Sequence, residues 1–228
     1  MHASGASLLA KQLQSLGIPM PGQSIPAHMH DPEGFFEWDE VVDLQERLLI
    51  DLDRWWPSRT GFLPLPTNWL RHPATQNARD HLKDLLRNQV SFGQKLWLIN
   101  DPRSSVLLPL WRDICEQLDI SLQLILTVRN PEDVLSSVME SNERLTGMTY
   151  WRAQQLWWRF NSSVLASLPS KSEPELLVVH YESWFDNPID QARFLVSELG
   201  LPKPDLKRLK SVQEAVQRQH AHASSLRA

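Results

Sequence analysis

Three short, nearly continuous apolar runs constrain the fold of this chain more than any other feature: residues 95–100 (Lys-Leu-Trp-Leu-Ile-Asn), 122–128 (Leu-Gln-Leu-Ile-Leu-Thr-Val) and 176–181 (Leu-Leu-Val-Val-His-Tyr). Runs of that length without polar alternation suit strands covered on both faces, as in parallel sheets. Around them, apolar residues recur at helical spacing over 7–16, 38–52, 77–89, 104–118, 132–144, 150–168 and 187–199. Strands alternating with helices imply βαβ units with right-handed crossovers. The expected fold is therefore α/β, a doubly wound parallel sheet with flanking helices.

With 228 residues and 42% hydrophobic content the chain can bury one core. Residues 57–73, rich in Pro, Thr, Gly and Asn, read as an irregular insertion, and the polar stretch 213–228 reads as a mobile tail. Net charge is −4, with no run of like charges, so nothing favours nucleic acid or an anionic membrane. No stretch approaches the roughly 20 apolar residues a membrane span needs. The N-terminus lacks a basic-then-apolar leader pattern. The single cysteine, Cys115, rules out an internal disulfide and suits a reducing compartment, and its helical context marks it as a core residue. The expected location is cytoplasmic. Ten Trp include the doublets Trp55-Trp56 and Trp157-Trp158. A helix cannot turn both rings of a doublet into one stripe, so one ring of each pair is free for a cleft or the rim of the core.

Three places carry the means for chemistry. The turn His2-Ala3-Ser4-Gly5-Ala6-Ser7 precedes a helical pattern. Small residues there permit close backbone approach, and the unpaired amides of the following helix make an anion cradle; the plainer reading is an N-cap by Ser4. The second is Arg129-Asn130-Pro131 at a strand end, with Ser137 two turns along the helix that Pro131 opens. A guanidinium and a hydroxyl so placed suit a phosphate, and a local pair of Arg129 with Asp133 is the alternative. The third is Asn100-Asp101-Pro102-Arg103, where Asp101 and Arg103 face the same carboxyl edge. His220 and His222 lack a third ligand, and no metal is assigned.

Taken together and in order, these segments resemble the sulfotransferase family, in particular bacterial members acting on carbohydrates and lipids. The resemblance also draws on Leu107-Leu108-Pro109-Leu110-Trp111, Val178-Val179-His180-Tyr181-Glu182 and Phe194-Leu195 with Leu199-Gly200-Leu201. It implies a single sulfotransferase-like domain over 1–212, with a P-loop-like form of the parallel sheet. The co-substrate would be 3′-phosphoadenosine-5′-phosphosulfate (PAPS) and no metal would take part. Ser4, Gly5, Ala6 and Ser7 would form the 5′-phosphosulfate loop, with Asp101 and Arg103 beside it. Arg129 and Ser137 would hold the 3′-phosphate. Glu37, in Gly34-Phe35-Phe36-Glu37, would activate the acceptor hydroxyl, with Glu33 the second choice, and His2 would assist at the loop. Phe35, Phe36, Trp38 and the Trp55-Trp56 pair would wall a small-molecule or glycan acceptor.

Three positions depart from the family pattern: Ala3 stands for Arg or Lys, Ala6 for Thr, and Asn100 often for Lys. Each removes a donor that would stabilise the leaving nucleotide, a loss typically worth about 100- to 1000-fold in rate. A catalytically impaired binder of PAPS or of its desulfated product is therefore the alternative. A nucleotide-dependent kinase is weaker, because the turn lacks the Gly-Lys-Ser/Thr ending. In open α/β sheets the phosphate turn follows a strand. None precedes His2, so the first strand is expected to be missing or truncated.

Overall fold

The computed structural model describes residues 2–25, 36–57, 62–93, 95–168 and 176–225. The fold is mixed α/β and mostly helical. Helices α1 (Ala6–Ser15), α2 (Asp39–Asp51), α3 (Pro73–Ser91) and α4 (Leu108–Gln117) precede strand β1 (Leu124–Val128). Helices α5 (Pro131–Thr146) and α6 (Tyr150–Ala166) lead to β2 (Leu176–His180), followed by α7 (Ser183–Asp186), α8 (Pro188–Glu198) and α9 (Leu206–Ser225). Each of the seven helical periodicities thus finds its helix, although residues 104–118 divide into a short 3-10 turn (Pro102–Ser105) and α4. Local chemistry fixes the starts. Asn130 accepts from the Glu132 amide at 3.0 Å just ahead of Pro131, and Asn187 does the same for Asp190 ahead of Pro188.

The sheet is smaller than expected. Among the described residues it has two strands, β1 and β2, parallel and in register from Leu124 opposite Leu176 to Val128 opposite His180. The run 95–100 carries no regular secondary structure and joins no sheet among the described residues. Among them, backbone bonding of residues 95–99 is confined to the Leu98 amide, which donates to the Pro19 carbonyl at 3.0 Å. Its apolar character is that of a strand; what it lacks is a partner strand alongside.

Two apolar cores lie on either side of this layer. One gathers α2 to α6, with Leu48, Leu82, Leu110, Ile114 and Phe160 fully buried. The other gathers α1, β2, α7, α8 and α9 around Trp184, Leu195 and Val212. Residues of the layer alternate between them: Trp97, Ile99 and Leu124 pack on the first core, Leu98 and Ile125 on the second. That alternation is the pleat of strands covered on both faces.

The C-terminal stretch departs from expectation. Helix α9 runs across residue 212, with Val212, Ala215 and Val216 buried, so the anticipated boundary at 212 falls inside a helix packed on α1. Arg208 reaches the Leu16 carbonyl at 2.8 Å, and Ser15 and Ser211 share a hydrogen bond of 3.2 Å. The side chains of His220 and His222 lie outside the described residues. Cys115 is buried in α4, as its context suggests, and burial pushes its thiol pKa up. Each Trp doublet splits: Trp56 and Trp157 pack on the first core while Trp55 and Trp158 are exposed. Of the expected irregular insertion, residues 62–68 carry no regular structure, but Trp69–Arg71 form a 3-10 turn and Pro73 opens α3. Among the described residues no helix is long and apolar enough to cross a membrane.

Candidate functional site

The turn at residues 2–5 lies against the carboxyl end of β1. Ser4 does not cap α1; its buried hydroxyl bonds Thr127 Oγ1 at 2.8 Å. Gly5 occupies the N-cap position with φ +93°, and α1 has no side-chain cap. The first amides of α1 therefore face the turn without a side-chain acceptor. A Cβ on Gly5 would lie 2.2 Å from the Tyr181 ring, so glycine is needed both for the left-handed backbone and for the contact. Ala3 also sits at positive φ (58°). Ser7 stands half-buried in the first turn of α1, and Ala6 lines an adjoining cavity.

Arg129 meets this turn. Its Nη1 donates to the Ala3 carbonyl at 3.0 Å, and its guanidinium lies 4.7 Å from the Tyr181 ring centroid. Its Nε is inaccessible and has no partner. The side chain is half-buried, not sunk in either core. Asn130 is held at its amide by Glu182 at 3.0 Å. Ser137 is half-buried two turns along α5. Burial is the main cause of an upward shift in the Tyr181 pKa, opposed by the Arg129 charge and a hydrogen bond from Gln219.

A second group of side chains surrounds Arg103. Its guanidinium pairs with Asp101 at 2.9 Å, with Glu46 through a short Nε contact, and with Glu37 at 3.8 Å. Gln45, buried on α2, donates to Asp101 at 2.6 Å and accepts from Trp111 at 2.9 Å. Burial opposes the charge on Arg103, but Asp101 and Glu46 outweigh it and raise its pKa. Burial likewise raises Asp101, against the pull of Arg103 and Gln45. Arg103 is thus one positive charge among three carboxylates. Glu37 is itself buried, and its carbonyl accepts from the Ile25 amide at 3.0 Å. Asn100 donates to the Phe36 carbonyl at 3.2 Å, tying the Glu37 segment to the Asp101 segment.

His2 joins the two groups. Its ring stacks obliquely on Trp56 at 4.4 Å and approaches Phe160 at 5.6 Å. Burial first, then the nearby Arg103 charge, push its pKa well below 6.5. It is neutral at physiological pH and supplies no cation to the turn. Trp38 is fully buried, so it forms core and not an acceptor wall. Glu33 and Phe35 lie outside the described residues.

Of the residues that sequence reasoning brought into consideration, Ser4, Gly5 and Arg129 meet at the carboxyl end of β1, while Glu37, Asp101 and Arg103 form a second group; no contact with Arg129 joins Ser137 to the first among the described residues. That reasoning passed over Thr127, Gln45 and Tyr181 as working residues. Two of these left a signal: Thr127 is polar at the end of an apolar strand, and Gln45 interrupts the buried stripe of Val41, Val42, Leu48 and Leu49. Comparison with family models, curated proteins and solved structures finds no match to this chain. Chemically, the uncapped helix start and Arg129 suit an anionic ligand, while the compensated Arg103 group adds no net positive charge.

Proposed function

We propose that this chain binds the phosphate groups of an adenosine 3′,5′-bisphosphate nucleotide and, when that nucleotide carries a sulfuryl group as in PAPS, passes it to a hydroxyl of a carbohydrate or lipid-linked acceptor. The observation that carries the reading is the meeting of the half-buried Arg129 guanidinium with the 2–5 turn, beside a start of α1 that has no side-chain cap. A guanidinium next to helix-start amides is stabilised by an anion. In this reading the fold is a reduced form of the P-loop-like sheet, with residues 2–7 as its phosphate turn.

Arg129 and Ser137 hold the 3′-phosphate and the α1 amides receive the 5′ end. Glu37 takes the proton of the acceptor hydroxyl as its oxygen bonds to sulfur and the sulfur–oxygen bond to the nucleotide breaks. A base so placed is worth roughly 100- to 10,000-fold. Phe36, whose ring centroid lies 5.8 Å from the Lys11 ammonium of α1, and Trp56, stacked on His2, border the acceptor.

One observation favours the second reading, a binder without turnover. The cation whose charge acts on His2, Arg103, is matched by Asp101, Glu46 and Glu37 and adds nothing to the leaving group. Calorimetric titration with adenosine 3′,5′-bisphosphate tests binding, and sulfate transfer to an oligosaccharide panel tests turnover. Micromolar binding with transfer supports the enzyme, and binding without transfer supports the binder. Absence of binding removes both.

A further inference from the structure

A cavity of about 420 Å³ runs between residues 95–100 and β1, from Lys95 and Leu122 to Thr127 and Ala6 at the turn. Its walls are largely apolar, with Leu9 and Leu13 of α1 on one side and Trp111 on the other.

Backbone bonding shows what shape the space has. The Tyr181 amide donates to the Val128 carbonyl at 2.8 Å, which turns Val128, Leu126 and Leu124 toward β2. Alternation along a parallel strand then turns the N–H and C=O groups of Ile125 and Thr127 the other way, toward the cavity. Among the described residues no backbone group meets them, although Thr127 is buried and Ile125 half-buried. Buried backbone groups without partners are rare and costly. Residues 95–99 form the opposite wall, and among the described residues only the Leu98 amide of their backbone is bonded. Above and below lie the two cores. A lane with unpaired strand edges at its sides and apolar cores on both faces matches one extended peptide with alternate side chains pointing up and down.

We infer that the cavity is a docking lane for one extended apolar β-strand of five or six residues, parallel to β1, which no described residue supplies. The segments between the described residues do not meet this need: 26–35 contains Pro26 and Pro32, and 169–175 is polar. The inference does not rest on the nucleotide reading.

The test lengthens the chain ahead of Met1 by Lys-Val-Ile-Val-Leu-Val, and in a control by Lys-Val-Pro-Val-Pro-Val, which cannot complete a ladder. Amide hydrogen exchange is then read at Ile125 and Thr127, with the acetylated Lys-Val-Ile-Val-Leu-Val-Lys peptide added to the unaltered chain as a second arm. The expected result is slowing of at least about tenfold at both amides with the apolar strand, joined or added, and none with the proline control. Unchanged exchange with the joined strand, or equal slowing with the control, overturns the inference. Slowing at Ile125 and Thr127 in the unaltered chain that tracks its own dimerisation overturns it as well, since a second copy would then be the occupant.

Discussion

The Arg129 guanidinium and the Ala3 carbonyl are joined by a 3.0 Å hydrogen bond across 126 residues of chain. One residue ends a strand, the other lies in the turn before the first helix. The bond uses one of five guanidinium donors and the Nε donor is inaccessible, which leaves the remaining Nη donors for a ligand.

Replacing Arg129 by Ala should weaken adenosine 3′,5′-bisphosphate binding at least about tenfold, in line with loss of a charged hydrogen bond. Arg129→Lys should recover only part of it, because an ammonium cannot both stack on Tyr181 and fork. Calorimetry on the three proteins reads this directly, and equal affinity for all of them would refute the site.

Gly5→Ala should destabilise the fold by about 2 kcal/mol or more, combining the left-handed backbone with the Tyr181 clash. Pairing it with Tyr181→Ala should relieve the steric part and leave the backbone part. Urea midpoints of the single and double variants separate the two.

Gln12 is fully buried on α1, and neither polar atom of its amide has a partner. Gln12→Met preserves length and removes the unsatisfied groups, so stability should rise by about 1 kcal/mol. A fall in the thermal midpoint would mean that the amide is satisfied in solution.

His2 gives the pH dependence its sign. Its folded pKa lies below 6.5, so the unfolded chain binds the extra proton first. The contribution is fully present above pH 6.5 and is lost as pH falls from there toward the folded value. Thermal midpoints should therefore decline below pH 6.5, and the decline should flatten in His2→Phe.

How far the fold was legible depended on whether the information was local. Helices with Asn130-Pro131 or Asn187-Pro188 at their starts were readable because caps and periodicity lie within one turn of chain. The reading of 95–100 as a strand was not met, although Trp97 and Ile99 pack on one core and Leu98 on the other, as the apolar run suggests. Its absence from a sheet was not readable, because pairing depends on what lies beside it. The α9 helix was missed for a different reason: Leu209, Val212 and Val216 form a narrow stripe among charged residues, and its burial follows from α1, some two hundred residues away. At the site, Arg129 and Gly5 could be found from strand-end and turn chemistry. The compensation of Arg103 could not, since Glu46 and Gln45 come from another helix.

The packing of α9 on α1 has a consequence for how the molecule is made. Helix α1 is made some two hundred residues before α9, its covering partner, so the 2–5 turn stays unsupported on that side through the synthesis of everything between them. Until α9 follows, Leu8, Leu9 and Leu13, all buried in the finished protein, remain uncovered on the side α9 will occupy, and the nascent chain carries its most ligand-ready segment in its least finished state.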